Sequence, residues 1–466
     1  MLPTAMTLAA AATAMGARLE GVSTLAPFAG VSIDSRTLRP GELFFAIAGP
    51  RLDGHDYVAD AARRGAVAAV VHRALEAPPG LPLLRVAETT RALAELARAV
   101  RAVTAARVVA ITGSVGKTTT KDMTAALLAR RGPVLKTEGN LNNQYGLPLT
   151  LMRLRPDHHF AVLELGMSAA GELRALSALA RPEVAVITLV APVHLEFFDS
   201  VEAIAAAKAE ILEGLTPDGV AVLNGDDPHQ RRIGVAHRGP VLWFGHDRAF
   251  EVSAEGWRGT VNGMRFDLRL GGEVRDVALP LAGPHFLTNF LAAAAVAHHL
   301  GLTADEIAAG ALELRPARHR GEVVRLGQGI TLIDDCYNSN PVAVEAAVTA
   351  LGLAAPGRRV AVLGDMRELG PTGPERHRQT GQAVGAKLGL LVAVGELADH
   401  LLEGARHAGL DATALHAFAD AAAAAAALPD LLQPGDAVLV KGSRGVKLEV
   451  VVDAVVARFG RAEAQG

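Results

Sequence analysis

Short, nearly uninterrupted apolar runs alternate with longer amphipathic or alanine-rich stretches over most of this chain. Val108–Ile111, Ala161–Leu165, Val184–Val190 and Val220–Asn224 form one series; Ile330–Ile333, Val360–Leu363, Leu390–Val394 and Ala437–Val440 form a second. Runs apolar on both faces and separated by helix-length segments predict parallel strands covered on both sides. Upstream, Val31–Leu38, Glu42–Ala48 and Val67–Val71 predict short strands among Gly/Pro turns, closed by a helix over Ala87–Val103. Phe250–Leu281 differs, because apolar and polar residues alternate there between Gly259, Gly263, Gly271 and Gly272. That period predicts antiparallel strands within or beside the middle region. A helix over Phe290–Leu300 leads into the junction Arg315–Arg320, rich in Arg, Pro and His, which marks a boundary. Three α/β domains are therefore expected, at 1–104, 105–315 and 316–466. The alanine run Ala421–Ala427 predicts a plain helix on propensity alone.

Composition narrows the classes. Half of the 466 residues are hydrophobic, which permits large cores. A formal charge of −3 with 4% aromatic residues offers no footprint for nucleic acid. Cys336 is the sole cysteine, so no intrachain disulfide forms, which fits a reducing compartment. Met1–Met15 is alanine-rich, but it lacks a basic leader and is followed at once by Arg18 and Glu20. It is read as a first helix. No apolar run approaches the roughly 18 residues of a membrane span, so membrane insertion is not expected.

The segment Thr112-Gly113-Ser114-Val115-Gly116-Lys117-Thr118-Thr119-Thr120 lies between an apolar strand and an alanine-rich helix. Backbone N–H groups and the helix dipole favour an anion at such a junction. Lys117 adds a cation for terminal phosphates, and the Thr118 hydroxyl is suited to Mg²⁺. The spacing departs from the strict G-x-x-x-x-G-K-[ST] pattern, but the strand–turn–helix context supports a phosphate loop (P-loop) over an ordinary turn.

Ligands of open α/β sheets gather at strand carboxyl ends. Glu164 and His194 follow two central strands; beside Thr118 they read either as Mg²⁺ ligands or as a solvated strand end and a loop histidine. Asn140, Asn142 and Asn143 form a polar loop that caps a helix or binds a polar ligand. Lys208 and Glu210 read as a solvated helix face or, more sharply, as the setting for a neutral lysine that captures CO₂ as a carbamate. In the last region, Asp335, Tyr337 and Asn338 lie in a strand-to-helix turn, and Lys441, Ser443 and Arg444 in another. Both are either ligand-binding edges or capped turns.

Together these motifs resemble the Mur ligases, the ATP-dependent amide ligases of bacterial peptidoglycan synthesis. TGSVGKTTTK (112–121), GNLNNQYGLPLTLM (139–152), VLELGMS (162–168), HLEFF (194–198), KAEIL (208–212), GPHFLTNFLAA (283–293), IDDCYNSNP (333–341) and KGSRG (441–445) occur in family order. The resemblance implies a substrate-binding N-terminal domain, a central P-loop ATPase domain and a Rossmann-like third domain. IDDCYNSNP and Gly364–Gly370 look like the last member of the pathway, which adds D-alanyl-D-alanine to UDP-N-acetylmuramoyl-tripeptide. The Asp-Asn-Pro-Arg motif of the preceding enzyme is absent.

On that resemblance the loop from Thr112 to Thr119 holds ATP; Thr118, Glu164 and His194 hold magnesium, with two ions expected; and Lys117, Lys208 and His194 serve catalysis, Lys208 as a carbamate. Asn289 would read adenine, and Arg320 and Asp335 the ribose. Ser35, Arg36, Asp53, Gly54 and His55 would hold the UDP-sugar. Asn140, Asn143, Tyr337, Asn338, Lys441, Ser443 and Arg444 complete the expected substrate contacts. Cys336 is assigned no catalytic part. The resemblance also implies a cytoplasmic monomer. Competing readings are a tripeptide-forming Mur ligase, a folylpolyglutamate synthetase, and a P-loop ATPase switch that performs no ligation.

Overall fold

The computed structural model describes residues 6–21, 27–192, 196–260, 262–354 and 357–462. Three sheets follow one another along the chain. The first contains β1 (Arg18–Glu20), β2 (Gly30–Ser32), β3 (Glu42–Phe45), β4 (Ala68–Val71) and β5 (Leu83–Arg85), in the order β1-β5-β4-β3-β2. All neighbours are parallel except β1 against β5. Both faces are covered: Leu43 and Phe45 enter one apolar cluster, and Phe44 and Ala46 enter another. The run Val31–Leu38 stops being a strand after Ser32, because the Asp34 carboxylate accepts from the Arg36 N–H at 2.9 Å and turns the chain.

The central sheet has nine strands: β6 (Arg107–Thr112), β7 (Val134–Lys136), β8 (Phe160–Glu164), β9 (Val184–Ile187), β10 (Val220–Asn224), β11 (Val241–Gly245), β12 (Val252–Thr260), β13 (Gly263–Leu270) and β14 (Glu273–Leu279). Their order is β14-β13-β12-β11-β10-β9-β6-β8-β7. The sheet is parallel from β7 through β12, and β12–β14 continue as the antiparallel meander that the alternating pattern predicts. Strand β6 is flanked by β8 on one side and β9 on the other, so the connections leaving it diverge. That divergence opens the crevice in which α/β sheets bind ligands.

Helix Pro284–His299 begins six residues before the pattern suggests, with Pro284 in its first turn. Its Ala292–Ala297 run is wholly buried between β10–β12 and helix Lys117–Leu128. Small side chains let the helix lie close to both neighbours.

The third sheet contains β15 (Glu322–Arg325), β16 (Thr331–Asp334), β17 (Arg359–Gly364), β18 (Leu390–Val394), β19 (Leu415–Phe418) and β20 (Ala437–Lys441), in the order β15-β16-β20-β17-β18-β19. Only β15 is antiparallel. The alanine run forms the helix Ala421–Leu431, capped by Asp420.

The cores divide unevenly. One apolar cluster runs from Leu8 and Leu93 in the first domain through to Leu147, Leu173 and Ile204 in the central domain, so these two domains share a core. The clusters around β15–β20 draw only on residues of the third domain. No helix among the described residues is long and apolar enough to cross a membrane.

Within the third domain, helices Gly373–Gly385 and Ala398–His407 approach through glycine. A Cβ at Gly381 would lie 2.0 Å from the Leu401 carbonyl oxygen, and one at Gly404 would lie 1.9 Å from that of Arg378. Overpacking of this kind costs about 1–3 kcal/mol. Gly381→Ala is accordingly expected to lower the melting temperature of the protein, and an unchanged calorimetric transition would contradict this packing.

Candidate active site

Strand β6 ends at Thr112, and the loop that follows closes on the segment after β9. Gly113 has φ 151°, and a Cβ there would lie 1.9 Å from Thr188 Oγ1. Thr188 Oγ1 donates to the carbonyl of Val115 at 2.5 Å. The Ser114 N–H donates to Leu189 O at 2.7 Å, and its hydroxyl bridges Ala191 O and N at 3.0 and 2.9 Å. These bonds occupy Thr188 to Ala191, which is why β9 ends at Ile187 rather than at Val190. Gly116, with φ 87°, precedes helix Lys117–Leu128; a Cβ there would lie 2.3 Å from Asn289 Oδ1.

On this frame Lys117 Nζ donates to its own loop at Gly113 O, 2.6 Å away. Desolvation lowers its pKa; Glu164 opposes that shift and Arg320 adds to it. Glu164, the last residue of β8, is 4% exposed. One carboxylate oxygen accepts from Thr118 Oγ1 at 2.7 Å and the other from Asn142 Nδ2 at 2.9 Å. A hydroxyl and a carboxylate meeting at the mouth of a phosphate loop form a hard oxygen set that fits Mg²⁺. His194, the third expected ligand, lies outside the described residues.

Asn289 is buried on helix Pro284–His299, and its Oδ1 accepts from Thr120 Oγ1 at 3.4 Å. Asn143 Oδ1 accepts from the N–H groups of Tyr145 and Gly146 at 3.1 and 3.0 Å, so its amide oxygen caps a helix. Asn140 lines the cavity beside it.

The third domain forms the opposite wall. The guanidinium of Arg320 stacks 4.1 Å over the ring of Tyr337. Lys441 Nζ donates to Asp335 Oδ2 at 2.6 Å and to Asn338 O at 3.0 Å, tying two strand ends together. Ser443 Oγ accepts from the Arg367 N–H at 3.0 Å, and Arg444 pairs with Glu449 at 2.9 Å. Both walls enclose a cavity of about 730 Å³. Ser114 to Thr118, Asn140, Asn143, Glu164, Arg320, Tyr337, Asn338, Lys441, Ser443 and Arg444 all line it. Thr112, Gly113, Thr119, Asn289 and Asp335 are not among the lining residues.

Lys208 is 1% exposed, and Glu210 is 6% exposed and accepts the Gly171 N–H at 2.8 Å. The pair is not a solvated face. Burial, with the charge of Lys117 second, pushes the Lys208 amine well below its usual range. Burial likewise raises the Cys336 thiol, with Asp334 adding to the effect.

The first-domain residues sit apart. His55 is buried; Nδ1 meets Asp53 Oδ1 at 2.6 Å, and Nε2 accepts the N–H groups of His72 and Arg73 at 3.0 and 3.3 Å. Gly54 presses against the Ala46 and Ile47 backbone, where a Cβ would lie 2.7 Å from Ile47 N. Ser35 is buried, and Arg36 pairs with Asp34 at 2.7 Å. A second cavity of about 940 Å³ separates this domain from the central one, lined by Asp34, Thr37 and Arg39 on one side and Lys136, Arg153 and Arg155 on the other. The asparagine-rich loop lies between the cavities: Glu138 and Leu141 face this one, and Asn140 and Asn142 face the first.

Sequence reasoning gave three residues no individual role. Asn142, not its neighbours, reaches Glu164. Arg367 lines the cavity from within the motif Gly364–Gly370, which marked the family but not this side chain. His285 Nδ1 is buried without a partner among the described residues, and desolvation outweighs the nearby Asp335 to lower its pKa to about 4. The i, i+3 spacing of Asn142 from Gly139 carries no signal that would have singled it out.

Three segments match Mur ligase domains: the Mur ligase family catalytic domain at 27–101, the middle domain at 111–297, and the glutamate ligase domain at 319–444. The chain is 40% identical over 430 residues to the UDP-N-acetylmuramoyl-tripeptide–D-alanyl-D-alanine ligase of Escherichia coli, covering 91% of this chain and 93% of that one. MurF from Acinetobacter baumannii superposes with a TM-score of 0.89 at 32% identity, over 98% of this chain and 100% of that one. The Thermotoga maritima MurF ligase in complex with ADP gives 0.82 at 30% identity, over 92% and 97%. With that identity sustained across all three domains, the chain belongs to the Mur ligase family.

Proposed function

We propose that this protein is an ATP-dependent ligase that joins UDP-N-acetylmuramoyl-tripeptide to D-alanyl-D-alanine through an acyl phosphate, releasing ADP and phosphate. The observation that carries this reading is the cavity with the phosphate loop and Glu164 on one wall and Arg320, Tyr337, Lys441 and Arg444 on the other. The name of the E. coli relative supplies both substrates, and the T. maritima complex supports ATP. We place the enzyme in the cytoplasm, acting as a monomer on soluble precursors.

A carboxylate acylates amines poorly, so its oxygen first attacks the γ-phosphorus of ATP and ADP leaves. That approach brings two anions together. Lys117 offsets the repulsion at the terminal phosphates, where positioning and electrostatics dominate phosphoryl transfer. Thr118 and Glu164, with His194, would hold Mg²⁺, which supplies further charge neutralisation when bound. The amine of the dipeptide, arriving deprotonated, then attacks the activated carbonyl; the tetrahedral intermediate loses the surplus N–H proton and expels phosphate, leaving the amide. The cations Lys441, Arg444 and Arg367 suit the dipeptide's terminal carboxylate or the nucleotide's phosphates.

Asn289 would contact adenine, and Arg320 and Asp335 the ribose. The second cavity, with Lys136, Arg153 and Arg155 along its rim, suits the diphosphate end of the muramoyl substrate. The asparagine-rich loop then lies along the path of the peptide, and Asn140 and Asn143 flank it. Ser35, Arg36, Asp53, Gly54 and His55 act there by shaping the first-domain loops. The third domain keeps its own cores, which suits a closure that excludes water from the acyl phosphate.

Lys208 supports a carbamate: a buried, neutral amine adds its nitrogen to the carbon of CO₂ and releases one proton, leaving an anion where an exposed lysine would carry a cation. Lys208→Ala is expected to be inactive and partly rescued by small carboxylic acids, and full activity without them would remove the carbamate. Lys117→Ala should lose more than the roughly 2.7–4 kcal/mol of transition-state stabilisation typical of one donor, with an unchanged circular dichroism spectrum. ADP release should require both UDP-tripeptide and D-alanyl-D-alanine; rapid ATP hydrolysis without amide product would instead support a P-loop ATPase without ligation.

A further inference from the structure

Lys121 is a buried cation that the chemistry above leaves without a task. It lies one turn beyond Lys117 on helix Lys117–Leu128, is 3% exposed, and does not line the cavity. Its ammonium donates to the carbonyl of Thr137 at 2.9 Å. Asp122 Oδ1 stands 3.5 Å away, but that carboxylate pairs more closely with Lys136 at 2.7 Å. Burying an ammonium is costly, and well-packed apolar replacements of buried ions are often neutral or stabilising. Fold stability alone is therefore a poor account of a lysine here.

Its partner leads to the active-site carboxylate. Strand β7 ends at Lys136, paired with Val162 of β8. One residue on, the Thr137 N–H still donates to Val162 O at 3.1 Å, but its carbonyl turns to Lys121. The buried Thr137 hydroxyl then accepts the N–H of Glu164 at 2.9 Å. Glu164 is held by β6 on its other side, where it pairs with Ile111. On the β7 side the Thr137 hydroxyl does what a ladder carbonyl would otherwise do.

We propose that Lys121 and Thr137 are positioning residues that set where Glu164 presents its carboxylate to Thr118 and to a divalent cation. This rests on the reading of Glu164 as a cation ligand. The ammonium fixes the Thr137 peptide against the phosphate-loop helix, so Lys117 and Thr118 on that helix and Glu164 on β8 share one reference frame. Partners of metal ligands typically contribute about 10- to 100-fold in metal affinity.

The test uses the full-length protein with ADP and titrates Mn²⁺, reading the free ion by electron paramagnetic resonance, alongside the melting temperature. Lys121→Met and Thr137→Val should each weaken Mn²⁺ binding by about 10- to 100-fold. The double variant should bind about as well as the weaker single variant, because both changes break one chain of contacts. Thr137→Ser, which keeps the hydroxyl, should bind Mn²⁺ like the unaltered protein. Glu164→Gln is the reference. If it leaves Mn²⁺ binding unchanged, the cation-ligand reading fails. If it weakens binding while Thr137→Val keeps full affinity and only loses melting temperature, the positioning proposal is overturned. Should Lys121→Met not fold, the Thr137→Val and Thr137→Ser pair decides.

Discussion

Glu164 is where the separate parts of this protein are brought to one point. Its carboxylate is nearly sealed from solvent, yet both oxygens are committed, one to Thr118 from the phosphate-loop helix and one to Asn142 from the asparagine-rich loop. A buried carboxylate without such partners would be expensive. The bonds that satisfy it also tie three chain segments together at the mouth of the phosphate loop. The divergent connections of β6 and the close contact of Gly113 with Thr188 serve that convergence by fixing where the loop lies.

The distribution of apolar surface sets what can move. The first two domains share one core through helix Thr89–Ala102, so the cavity between them has a fixed frame. The third domain is stabilised by its own two clusters, and it meets the central domain both across the polar groups lining the reaction cavity and through helix Pro341–Ala354, whose Ala350 and Leu353 lie beside Gly283 and Gly259. A ligase that must admit two substrates and then exclude water benefits from that asymmetry.

Charge and burial are also matched to chemistry around the loop. Lys208 and Cys336 are both buried, with opposite consequences: the amine is pushed toward its reactive neutral form, and the thiol toward its inert one. His285 is held neutral beside the Asp335–Lys441 pair. The same physical cause, loss of water around an ionisable group, favours the neutral form of both.

Much of this was legible in the order of residues. Apolar runs such as Val108–Ile111 and Ala437–Val440 marked parallel strands because a strand buried on both faces has nowhere to put a polar side chain. The phosphate loop was readable from its strand–turn–helix context, whereas the turns near Glu164, Asp335 and Lys441 were located by their place at strand ends with capping alternatives left open, and took their expected roles from the family resemblance. The early end of β9 was not readable, since it is decided by the phosphate loop more than seventy residues away; the turn at Asp34 and the start of helix Pro284–His299 carry local signals, an Asx bond to Arg36 and a proline at the helix N-terminus, that the apolar pattern overran. Only the folded chain selects Asn142 from three neighbouring asparagines, buries Lys208 and Glu210 rather than solvating them, and joins Lys121 through Thr137 to Glu164. Local pattern determined which elements form; which side chains meet was decided by packing, because contacts between strands that lie far apart in the chain leave no periodic trace in it.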